Sequence, residues 1–387
     1  MSAQLRVAMI GHGFMGAAHS VGWRQAPAAF PLPAQPVMAA LVGRDAETTA
    51  AAADRWGWQE AATDWRETIA RDDIDIVDIV TPGDSHAEIA VAALAAGKHV
   101  LCEKPLANTV AEAEQMADAA ARAARSGIRS MVGFTYRRVP AATLMRDMIA
   151  DGRIGDVRQV RASYRQDWLV DAEAPMTWRL DKDRAGSGSL GDIGAHAIDM
   201  CQFVTGQSLT SVSGVLETIV KERPLLAASV GLGGTAGAGR GTVTVDDVAL
   251  FNARLESGAL ASFEATRFAT GRKNALEIEI SGDRGALHWN LEDMNALEFY
   301  DATADAGEQG FTRILVTEPQ HPYLSGWWPA GHMLGYEHGF SHQVKDFVEA
   351  ITAGTQPTPN FDEGLRVQRV LDAVARSSAE GSAWTEV

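Results

Sequence analysis

The first third of the chain alternates short apolar runs with longer stretches of helical pattern. Aliphatic runs of strand length are typical of buried strands, and such runs occupy residues 5–10, 37–43, 73–82, 98–103 and 128–136. Helices are predicted at about residues 16–25, 45–56, 85–97 and 109–126, and a loop at 26–36, which holds four prolines. Strands and helices joined by short links predict a parallel sheet covered on both faces, in an α/β domain of residues 1–135.

The rest of the chain has a different pattern, in which apolar and polar residues partly alternate along segments of strand length. This alternation is typical of an antiparallel sheet with one covered face, and it is found at residues 156–166, 212–220, 248–255, 259–268 and 274–282. Helices are predicted at about 190–204, 341–353 and 362–377, and a mobile, glycine-rich surface loop at 226–242. The sequence thus predicts a second domain of α+β class, residues 136–387.

The composition narrows the class of partner. The chain has 387 residues, 46% of them hydrophobic and 22% charged, which is ordinary for a globular protein of two domains. A net charge of −16 disfavours binding to nucleic acid or to anionic membrane surfaces, and no apolar run has the length that spans a bilayer. Two cysteines and an N-terminus without signal-peptide features predict a cytoplasmic protein. The sequence has no CxxC or HExxH pattern, so we expect no metal site.

A glycine-rich motif separates the first predicted strand from the first predicted helix. It reads Gly11-His12-Gly13-Phe14-Met15-Gly16, which is the pattern GxGxxG. In this context the first glycine makes a tight turn, the second lets the backbone approach a pyrophosphate, and the third lets the helix pack on the strand. The helix N-terminus then faces the phosphates, so this segment is predicted to bind NAD or NADP.

The end of the second predicted strand bears on the choice between these two dinucleotides. An acidic residue at this place binds the ribose 2′-hydroxyl of NAD, but the chain has Gly43 followed by Arg44. A glycine leaves room for a 2′-phosphate and a guanidinium pairs with it, which favours NADP. Asp45 is predicted to cap the next helix; a shift of two residues in the strand register would place it on the ribose instead.

Lys104 follows the strand at 98–103, and the strand ends of a parallel sheet face the ligand crevice. We therefore expect its ammonium group near the nicotinamide. The alternative is a surface lysine paired with Glu103, but adjacent residues on an extended chain point to opposite faces. Further cofactor contacts are predicted at the neighbouring strand ends: Thr81, Pro82, His86 and Glu103.

The segment 186–199 combines a loop rich in glycine and serine with acidic and histidine side chains. If Asp192 lies in a helix, His196 is four residues on and shares its face, and Asp199 lies close to His196. An acid and an imidazole on one face suit a catalytic base and the group that orients it. The alternative is a core histidine satisfied by an aspartate that caps the helix.

Together, the GxGxxG motif, the tripeptide Glu103-Lys104-Pro105 and the pattern Asp192-x-x-x-His196 resemble the Gfo/Idh/MocA oxidoreductases. The resemblance implies a Rossmann domain, a second domain whose open-faced sheet often forms dimers or tetramers, and hydride transfer between NAD(P) and a carbinol of a sugar or inositol. It also implies that Lys104 contacts the nicotinamide region and the reacting oxygen, that Asp192 holds a substrate hydroxyl, and that His196 accepts the proton. Lys104 and His196 could exchange roles. The bond between Lys104 and Pro105 is usually cis in such proteins.

Further segments of the second domain resemble the levoglucosan dehydrogenase branch of this family, which oxidises an anhydro-sugar with NAD. The substrate contacts that this resemblance implies, besides Asp192 and His196, are Tyr136, Arg137, Gln166, Trp168, Trp178 and Arg179. Indole faces pack on sugar C–H surfaces and guanidinium groups bond hydroxyls, while core packing is the alternative for both tryptophans. Gly43-Arg44 departs from an NAD-binding pattern, so the dinucleotide stays open.

Three rival functions also stay open. One is a glycoside-cleaving hydrolase of the same fold, which oxidises, eliminates and reduces again without net change in cofactor. Another is a nicotinamide-sensing regulator without catalysis, although both the lysine and the histidine are present. The third is a reductase that acts on the matching ketone.

Overall fold

A computed structural model describes residues 3–230 and 233–387 of the chain. The strands are β1 Ala3–Ile10, β2 Ala34–Val42, β3 Glu60–Ala62, β4 Ile76–Ile79, β5 His99–Cys102, β6 Ser130–Val132, β7 Val157–Arg165, β8 Leu209–Glu217, β9 Glu222–Val230, β10 Gly233–Thr242, β11 Val248–Leu255, β12 Leu260–Thr266, β13 Ala275–Gly282, β14 Gly285–Asn290, β15 Ala296–Asp301, β16 Phe311–Leu315 and β17 Thr385–Glu386. The helices are α1 Phe14–Ala29, α2 Ala46–Trp56, α3 Trp65–Ile69, α4 His86–Ala95, α5 Val110–Ala124, α6 Pro140–Ala150, α7 Lys182–Ala185, α8 Ala195–Thr205, α9 His338–Ala353 and α10 Phe361–Ala379.

The chain divides into two compact units. The first unit runs to Thr135 and also includes Gly335–Gln368, and the second unit comprises Tyr136–Leu334 and Arg369–Val387. The division after residue 135 lies where the sequence predicts a domain boundary. The return of the chain to the first unit at Gly335 differs from the prediction of a single second domain, 136–387.

The first unit contains a parallel six-stranded sheet, which confirms the predicted α/β fold. Its strand order is β3-β2-β1-β4-β5-β6, with parallel pairing throughout the order. Because the order reverses between β1 and β4, the carboxyl ends of these strands flank the place where ligands bind in such sheets. The central strands are buried as predicted from their aliphatic runs.

Helix α9 belongs to the first unit because of its apolar face. Phe340, Val344, Phe347 and Val348 recur at helical spacing and are all at most 2% exposed. The last three belong to the same buried cluster as Trp23 of α1. The predicted domain limits miss this return because helical periodicity does not tell which core a helix joins.

The predicted loop at 26–36 is partly helical. Helix α1 continues to Ala29 and contains Pro27, and the chain enters β2 at Ala34. A proline this close to the helix end removes only one backbone hydrogen bond, and the N–H of Phe30 still donates to the Ala26 carbonyl at 2.9 Å. Both residues are buried, so packing keeps the last turn helical.

The second unit contains a nine-stranded sheet that is mostly antiparallel, as predicted. Its order is β16-β15-β14-β13-β7-β12-β11-β8-β17, and β7 with β12 is its parallel pair. One face packs against α6 and α8. Strand β11 shows the alternation well, because its buried positions are every second residue from Ala249 to Leu255.

The glycine-rich segment forms a hairpin, so the prediction of a loop at 226–242 is wrong for the part of it that the structure describes. Strands β9 and β10 pair with each other in a separate two-stranded sheet; residues 231–232 of the predicted loop lie outside the described ranges. A Cβ at Gly234 would lie 2.2 Å from the carbonyl oxygen of Ala228. Glycine therefore permits the close pairing of these two strands, although a glycine-rich sequence by itself suggests a flexible loop.

Helices that are long and apolar enough to cross a membrane are absent from the described residues.

Candidate active site

The glycine motif forms an open cradle at the start of α1. Gly11 has φ of +106°, and a Cβ there would lie 2.9 Å from the Val80 carbonyl oxygen. A Cβ at Gly16 would lie 2.8 Å from the Gly11 carbonyl oxygen, whereas one at Gly13 would meet no heavy atom of the described chain within 4 Å. Gly13 is also the N-cap residue of α1 and provides no side-chain cap. The open backbone and the uncapped N–H groups fit the pyrophosphate of a dinucleotide.

His12 fills the place that a ribose-binding acid would take at the end of β2. A Cβ at Gly43 would lie 2.4 Å from the His12 ring and 2.3 Å from Thr49 Oγ1, and His12 Nε2 lies 3.2 Å from that same hydroxyl. Residue 43 therefore has no room for a carboxylate unless these side chains move. His12 and Thr49 also occupy the space directly beside Gly43 that the sequence predicts to be open for a 2′-phosphate.

Asp45 caps helix α2 as predicted. Its Oδ1 accepts hydrogen bonds from the backbone N–H of Thr48 at 2.9 Å and from the Thr48 hydroxyl at 2.7 Å. These bonds hold the pKa of the Asp45 carboxyl below its usual range. Arg44, beside it, is exposed. A cation is thus accessible to a phosphate at this strand end.

Lys104 follows β5 and is half-buried. Its peptide bond to Pro105 is cis, as the family resemblance implies. His86, a predicted cofactor contact, is buried beside this segment: its Nδ1 lies 3.1 Å from the Pro105 carbonyl oxygen and its Nε2 lies 2.9 Å from the Thr81 carbonyl oxygen. The imidazole thus bridges the loops that follow β4 and β5.

Glu103 does not face the surface. Its side chain is 3% exposed and its Oε1 lies 2.9 Å from Nε2 of His19. The structure therefore places this predicted cofactor contact in the interior of the first unit, and it removes the alternative of a surface pair with Lys104.

In the second unit, Asp246 organises the loop that leads to Asp192. Its carboxylate accepts the backbone N–H of Gly188 and of Leu190, both at 2.7 Å, and the hydroxyl of Ser189 at 2.8 Å. A Cβ at Gly188 would lie 1.7 Å from the Asp246 carbonyl oxygen. The glycine in this loop is needed for the close approach of the two backbones.

Asp192 lies in a π-helical turn, Leu190–Gly194, and His196 lies in the first turn of α8. The prediction of one regular α-helix through both residues is wrong at its start, and π-turns are frequent at functional sites. Asp192 caps neither segment, because their N-cap residues are Ser189 and Gly194. The alternative of a capping aspartate is thereby excluded, and the Asp192 side chain keeps 29% exposure.

A chain of hydrogen bonds begins at Tyr136, whose ring centroid is 4.5 Å from that of His196. The hydroxyls of Tyr136 and Tyr164 are 2.9 Å apart, and Tyr164 donates to Asn274 Oδ1 at 2.6 Å. Gln166 Nε2 donates to the same oxygen at 2.8 Å, and Trp168 Nε1 donates to Gln166 Oε1 at 2.9 Å. Three predicted substrate contacts are thus joined by two residues that the sequence did not suggest, Tyr164 and Asn274.

Arg267 closes this arrangement on the other side. Its guanidinium is fully buried, lies 3.8 Å from Asp192 Oδ2 and stands 5.6 Å from the ring centroid of Trp168. Within the described ranges, none of its three side-chain nitrogens has a hydrogen-bond partner. A buried cation without hydrogen bonds is costly, so its position beside Asp192 indicates function rather than packing.

Arg179 brings a second cation to Asp192. Burial lowers the pKa of Arg179; the carboxylate of Asp192 raises it and the charge of Arg267 lowers it further. Its guanidinium also stacks 4.5 Å from the ring of its neighbour Trp178. Both predicted residues therefore lie in the Asp192 environment.

Arg137 is placed differently from the other predicted substrate contacts. Its guanidinium forms two hydrogen bonds to the Asp199 carboxylate, at 2.6 and 2.9 Å, and both side chains are buried. It also stands 5.0 Å from the ring of Phe203. This ion pair holds α8 against the segment that precedes α6. Arg137 and Asp199 therefore bind each other in the interior of the second unit.

Clusters of three or more histidine, cysteine, aspartate or glutamate side chains that could hold a metal ion do not occur in residues 3–230 and 233–387.

The chain matches two family models: an oxidoreductase family with an NAD-binding Rossmann fold, over residues 5–133, and the GFO/IDH/MocA C-terminal domain, over residues 143–288. It is 41% identical to levoglucosan dehydrogenase of Pseudarthrobacter phenanthrenivorans over 388 residues, which cover 99% of this chain and 98% of that protein.

Two solved structures are similar over their full length. An oxidoreductase domain protein from Kribbella flavida has a TM-score of 0.96 and 63% identity, with 100% of each chain covered. Levoglucosan dehydrogenase in complex with NADH and L-sorbose has a TM-score of 0.93 and 40% identity, with 100% of this chain and 99% of that chain covered.

Proposed function

Because the chain belongs to the Gfo/Idh/MocA family of oxidoreductases and has an NAD-binding Rossmann domain, we propose that it oxidises a ring hydroxyl of a sugar, anhydro-sugar or inositol with NAD(P). The observation that carries the proposal is the group around Asp192 and His196. An imidazole, a carboxylate and two arginines lie with a hydrogen-bonded row of tyrosine, asparagine, glutamine and tryptophan side chains. Such a surface suits a polyol, since amides, hydroxyls and guanidinium groups bond its hydroxyls and indole packs on its C–H face.

The first substrate to test is the anhydro-sugar levoglucosan. A relative of 41% identity over the whole chain carries the name of levoglucosan dehydrogenase. The tryptophan, glutamine and tyrosine that the resemblance assigns to the sugar are joined in one hydrogen-bonded row.

In this proposal the dinucleotide lies on the Gly11–Gly16 cradle and the uncapped N-terminus of α1, with Thr81, Pro82 and Lys104 at the nicotinamide side. When bound, the nicotinamide supplies the acceptor for a hydride. The cofactor has no other role in the proposed reaction. The remaining steps belong to side chains of this chain.

The proposed chemistry divides between three side chains. His196 takes the proton of the substrate hydroxyl as the carbinol C–H leaves as a hydride and a carbonyl forms; a positioned base contributes about 10²–10⁴-fold. Lys104, as a cation, stabilises the negative charge that develops on the reacting oxygen, an effect worth about 3 kcal/mol. Asp192, held near Arg267, accepts a hydrogen bond from a neighbouring hydroxyl and fixes the ring. The same residues in reverse reduce the ketone.

We propose further that NADP is accepted and favoured over NAD. Gly43 offers no acid to the ribose, and Asp45 is engaged as a cap. Arg44 is exposed next to the place of the 2′-oxygen.

The chain is also proposed to form a cytoplasmic homodimer or homotetramer through the outward face of the nine-stranded sheet. Three large apolar residues lie on that face and are about half exposed: Val215 at 50%, Leu250 at 49% and Leu260 at 47%. Val215 and Leu250 are directly paired across β8 and β11. Exposed apolar pairs on an open sheet face are found at interfaces.

The test is a spectrophotometric screen at 340 nm with levoglucosan, myo-inositol and 1,5-anhydro-D-fructose, each with NAD(H) and NADP(H). We expect turnover with at least one of them and a loss of at least about 100-fold in kcat in Lys104→Met, with cofactor binding retained in a fluorescence titration. Lys221→Met, which removes an exposed lysine paired with Glu217, is the control and keeps wild-type kcat. Near-normal turnover in Lys104→Met would refute the mechanism, and free sugar released from a glycoside without net NAD(P)H change would indicate the hydrolase.

A further inference from the structure

A charged cluster lies in the interior of the first unit, directly beneath the segment that carries Lys104. His19 of α1, Asp78 of β4 and Glu103 are 2%, 0% and 3% exposed. His19 Nδ1 lies 2.9 Å from Asp78 Oδ2 and 3.0 Å from Oδ1, and His19 Nε2 lies 2.9 Å from Glu103 Oε1. Trp23 Nε1 donates to Asp78 Oδ2 at 2.6 Å.

The geometry favours a protonated imidazole in this cluster. An ionised carboxylate only accepts hydrogen bonds, so an imidazole between two of them donates from both nitrogens and is a cation. The indole N–H of Trp23, which donates to Asp78, agrees with an ionised carboxylate there. Burial by itself lowers the pKa of His19, but the charge of Asp78 and the hydrogen bonds to Asp78 and Glu103 raise it to about 10.

The other side chains around His19 add no competing charge. The thiol of Cys102, next to Glu103, stays neutral because burial and the two carboxylates raise its pKa well above 9.0. From α9, the uncharged ring of Phe340 stands 5.4 Å from the imidazole. The titratable partners of the cation are therefore Asp78 and Glu103.

The cluster is connected to Lys104 through the backbone. The second oxygen of the Glu103 carboxylate, Oε2, accepts the backbone N–H of Lys104 at 3.3 Å. Gly133 makes room for this carboxylate, because a Cβ there would lie 2.5 Å from Glu103 Oε1. On the far side of Lys104, the Pro105 carbonyl oxygen lies 3.1 Å from His86. The backbone of the lysine is thus held between two buried histidines.

Packing alone does not account for such a cluster. Two negative charges and one positive charge in a site almost without water are expensive, and apolar residues of similar volume often serve a fold as well or better. The cluster also ties α1, which begins at the glycine cradle, to the loop of the catalytic lysine. Helix α1 and the loop of Lys104, which the proposed reaction needs in a fixed relative position, are thus both linked to the His19 imidazolium.

We propose that His19 is a positioning residue, which as a cation fixes the Glu103 carboxylate and, through it, the backbone from which Lys104 projects. The proposal rests on the proposed function for its kinetic part only. The protonation of His19 is measured without any substrate. The two proposals can therefore fail separately.

The kinetic test uses His19→Gln, which can donate to one carboxylate but carries no charge. With the panel substrate of highest turnover, we expect kcat to fall about 10- to 100-fold while KM for substrate and dinucleotide changes less than about 3-fold, since the binding surfaces stay intact. Glu103→Gln is expected to lower kcat similarly, and the double variant to be no worse than either single variant, because both act through one path. His288→Gln removes a half-exposed histidine paired with Glu298 on the nine-stranded sheet and keeps wild-type kcat.

The second test follows the ring nitrogens of His19 by NMR in protein labelled with ¹⁵N-histidine, assigned by comparison with His19→Gln. We expect both nitrogens to stay protonated through pH 8. Because the pKa of His19 is raised to about 10 from 6.5, its contribution to stability is full below pH 6.5 and is lost as pH rises through about 10. The Tm difference between wild type and His19→Gln should therefore shrink between pH 7 and pH 10.5.

A neutral His19 at pH 7, or wild-type kcat in a folded His19→Gln, would overturn the proposal. If His19→Gln does not fold, Glu103→Gln decides the kinetic part, and the signals that shift in its spectrum assign His19 for the NMR titration of wild type. Absence of turnover by wild type on the whole panel would instead count against the proposed function, whatever the NMR result.

Discussion

Arg267 and Arg223 are two fully buried arginines of the second unit with opposite surroundings. Arg223 donates to the carbonyl oxygens of Asp171 and Leu169, both at 2.7 Å. The three side-chain nitrogens of Arg267 find no such acceptor in the part of the chain that the structure describes. The Arg223 guanidinium thus donates hydrogen bonds to backbone carbonyl groups, whereas the Arg267 guanidinium lies beside Asp192 and Trp168.

We therefore expect opposite effects on stability from the same substitution. Arg267→Met removes a buried charge that, among the described residues, has no hydrogen bond and is paired only at 3.8 Å with the partly exposed Asp192, so Tm stays the same or rises. We expect kcat/KM to fall about 10-fold or more, because Asp192 and Trp168 lose their neighbour. Arg223→Met leaves buried carbonyls without donors, so Tm falls. Thermal unfolding and steady-state kinetics of both variants measure the contrast. A clear drop in Tm for Arg267→Met would show that the arginine is structural.

Arg44 determines cofactor preference if the proposal for NADP is right. In Arg44→Ala, kcat/KM with NADP should fall about 10-fold through loss of a charge-assisted contact to the 2′-phosphate, and kcat/KM with NAD should change less than about 3-fold. Arg55→Ala removes another exposed arginine of the adjacent helix α2 and controls for net charge. Equal losses with both dinucleotides would speak against a role in discrimination.

The helical turn that carries Asp192 depends on a glycine as much as on its own residues. Gly188→Ala places a Cβ against the Asp246 backbone, which overpacking data suggest costs about 1–3 kcal/mol. We expect a lower urea midpoint and reduced kcat, since the turn must move to relieve the clash. Gly310→Ala is the matched control, because a Cβ there meets no heavy atom of the described chain within 4 Å. Wild-type kcat in Gly188→Ala would mean that the turn tolerates displacement.

Local motifs made part of the site predictable. Lys104 follows an aliphatic strand and precedes a proline, and Asp192 and His196 are four residues apart. Each of these two motifs can therefore be recognised within ten residues of sequence. Tyr164 and Asn274 are 110 residues apart and meet only because β7 and β13 pair in one register. Asp246 reaches Ser189 of its loop across 57 residues of sequence. Contacts set by strand register carry no short-range signal.

The same limit explains the elements that were predicted wrongly. Glycines at 233–242 indicate flexibility in a sequence, and only the opposite strand shows that they permit close pairing. Pro27 indicates a loop, yet buried neighbours keep its turn helical. By contrast, five of the six parallel strands and the predicted class of the second sheet were right, because burial and alternation are properties of each strand alone. The three-residue strand β3 was not predicted.

The outward face of the nine-stranded sheet carries the exposed apolar residues Val215, Leu250 and Leu260, which the proposed assembly would cover. Leu250→Glu places a charge at its centre, so we expect dissociation to monomers at micromolar concentration, measured by light scattering after gel filtration. Val170→Glu alters an apolar residue of similar exposure outside the sheet and should leave the mass unchanged. An unchanged mass for Leu250→Glu would place the interface elsewhere.

The return of Gly335–Gln368 to the first unit has a consequence for biosynthesis. A ribosome completes all six strands of the dinucleotide-binding sheet early, yet α9, whose Val344, Phe347 and Val348 join the cluster around Trp23, is translated about two hundred residues later. Until then the nascent chain lacks the side chains that cover this part of α1, a surface that chaperones recognise. The cofactor-binding half of this enzyme thus starts first, yet it is completed only after eight of the nine strands of the other sheet have been translated.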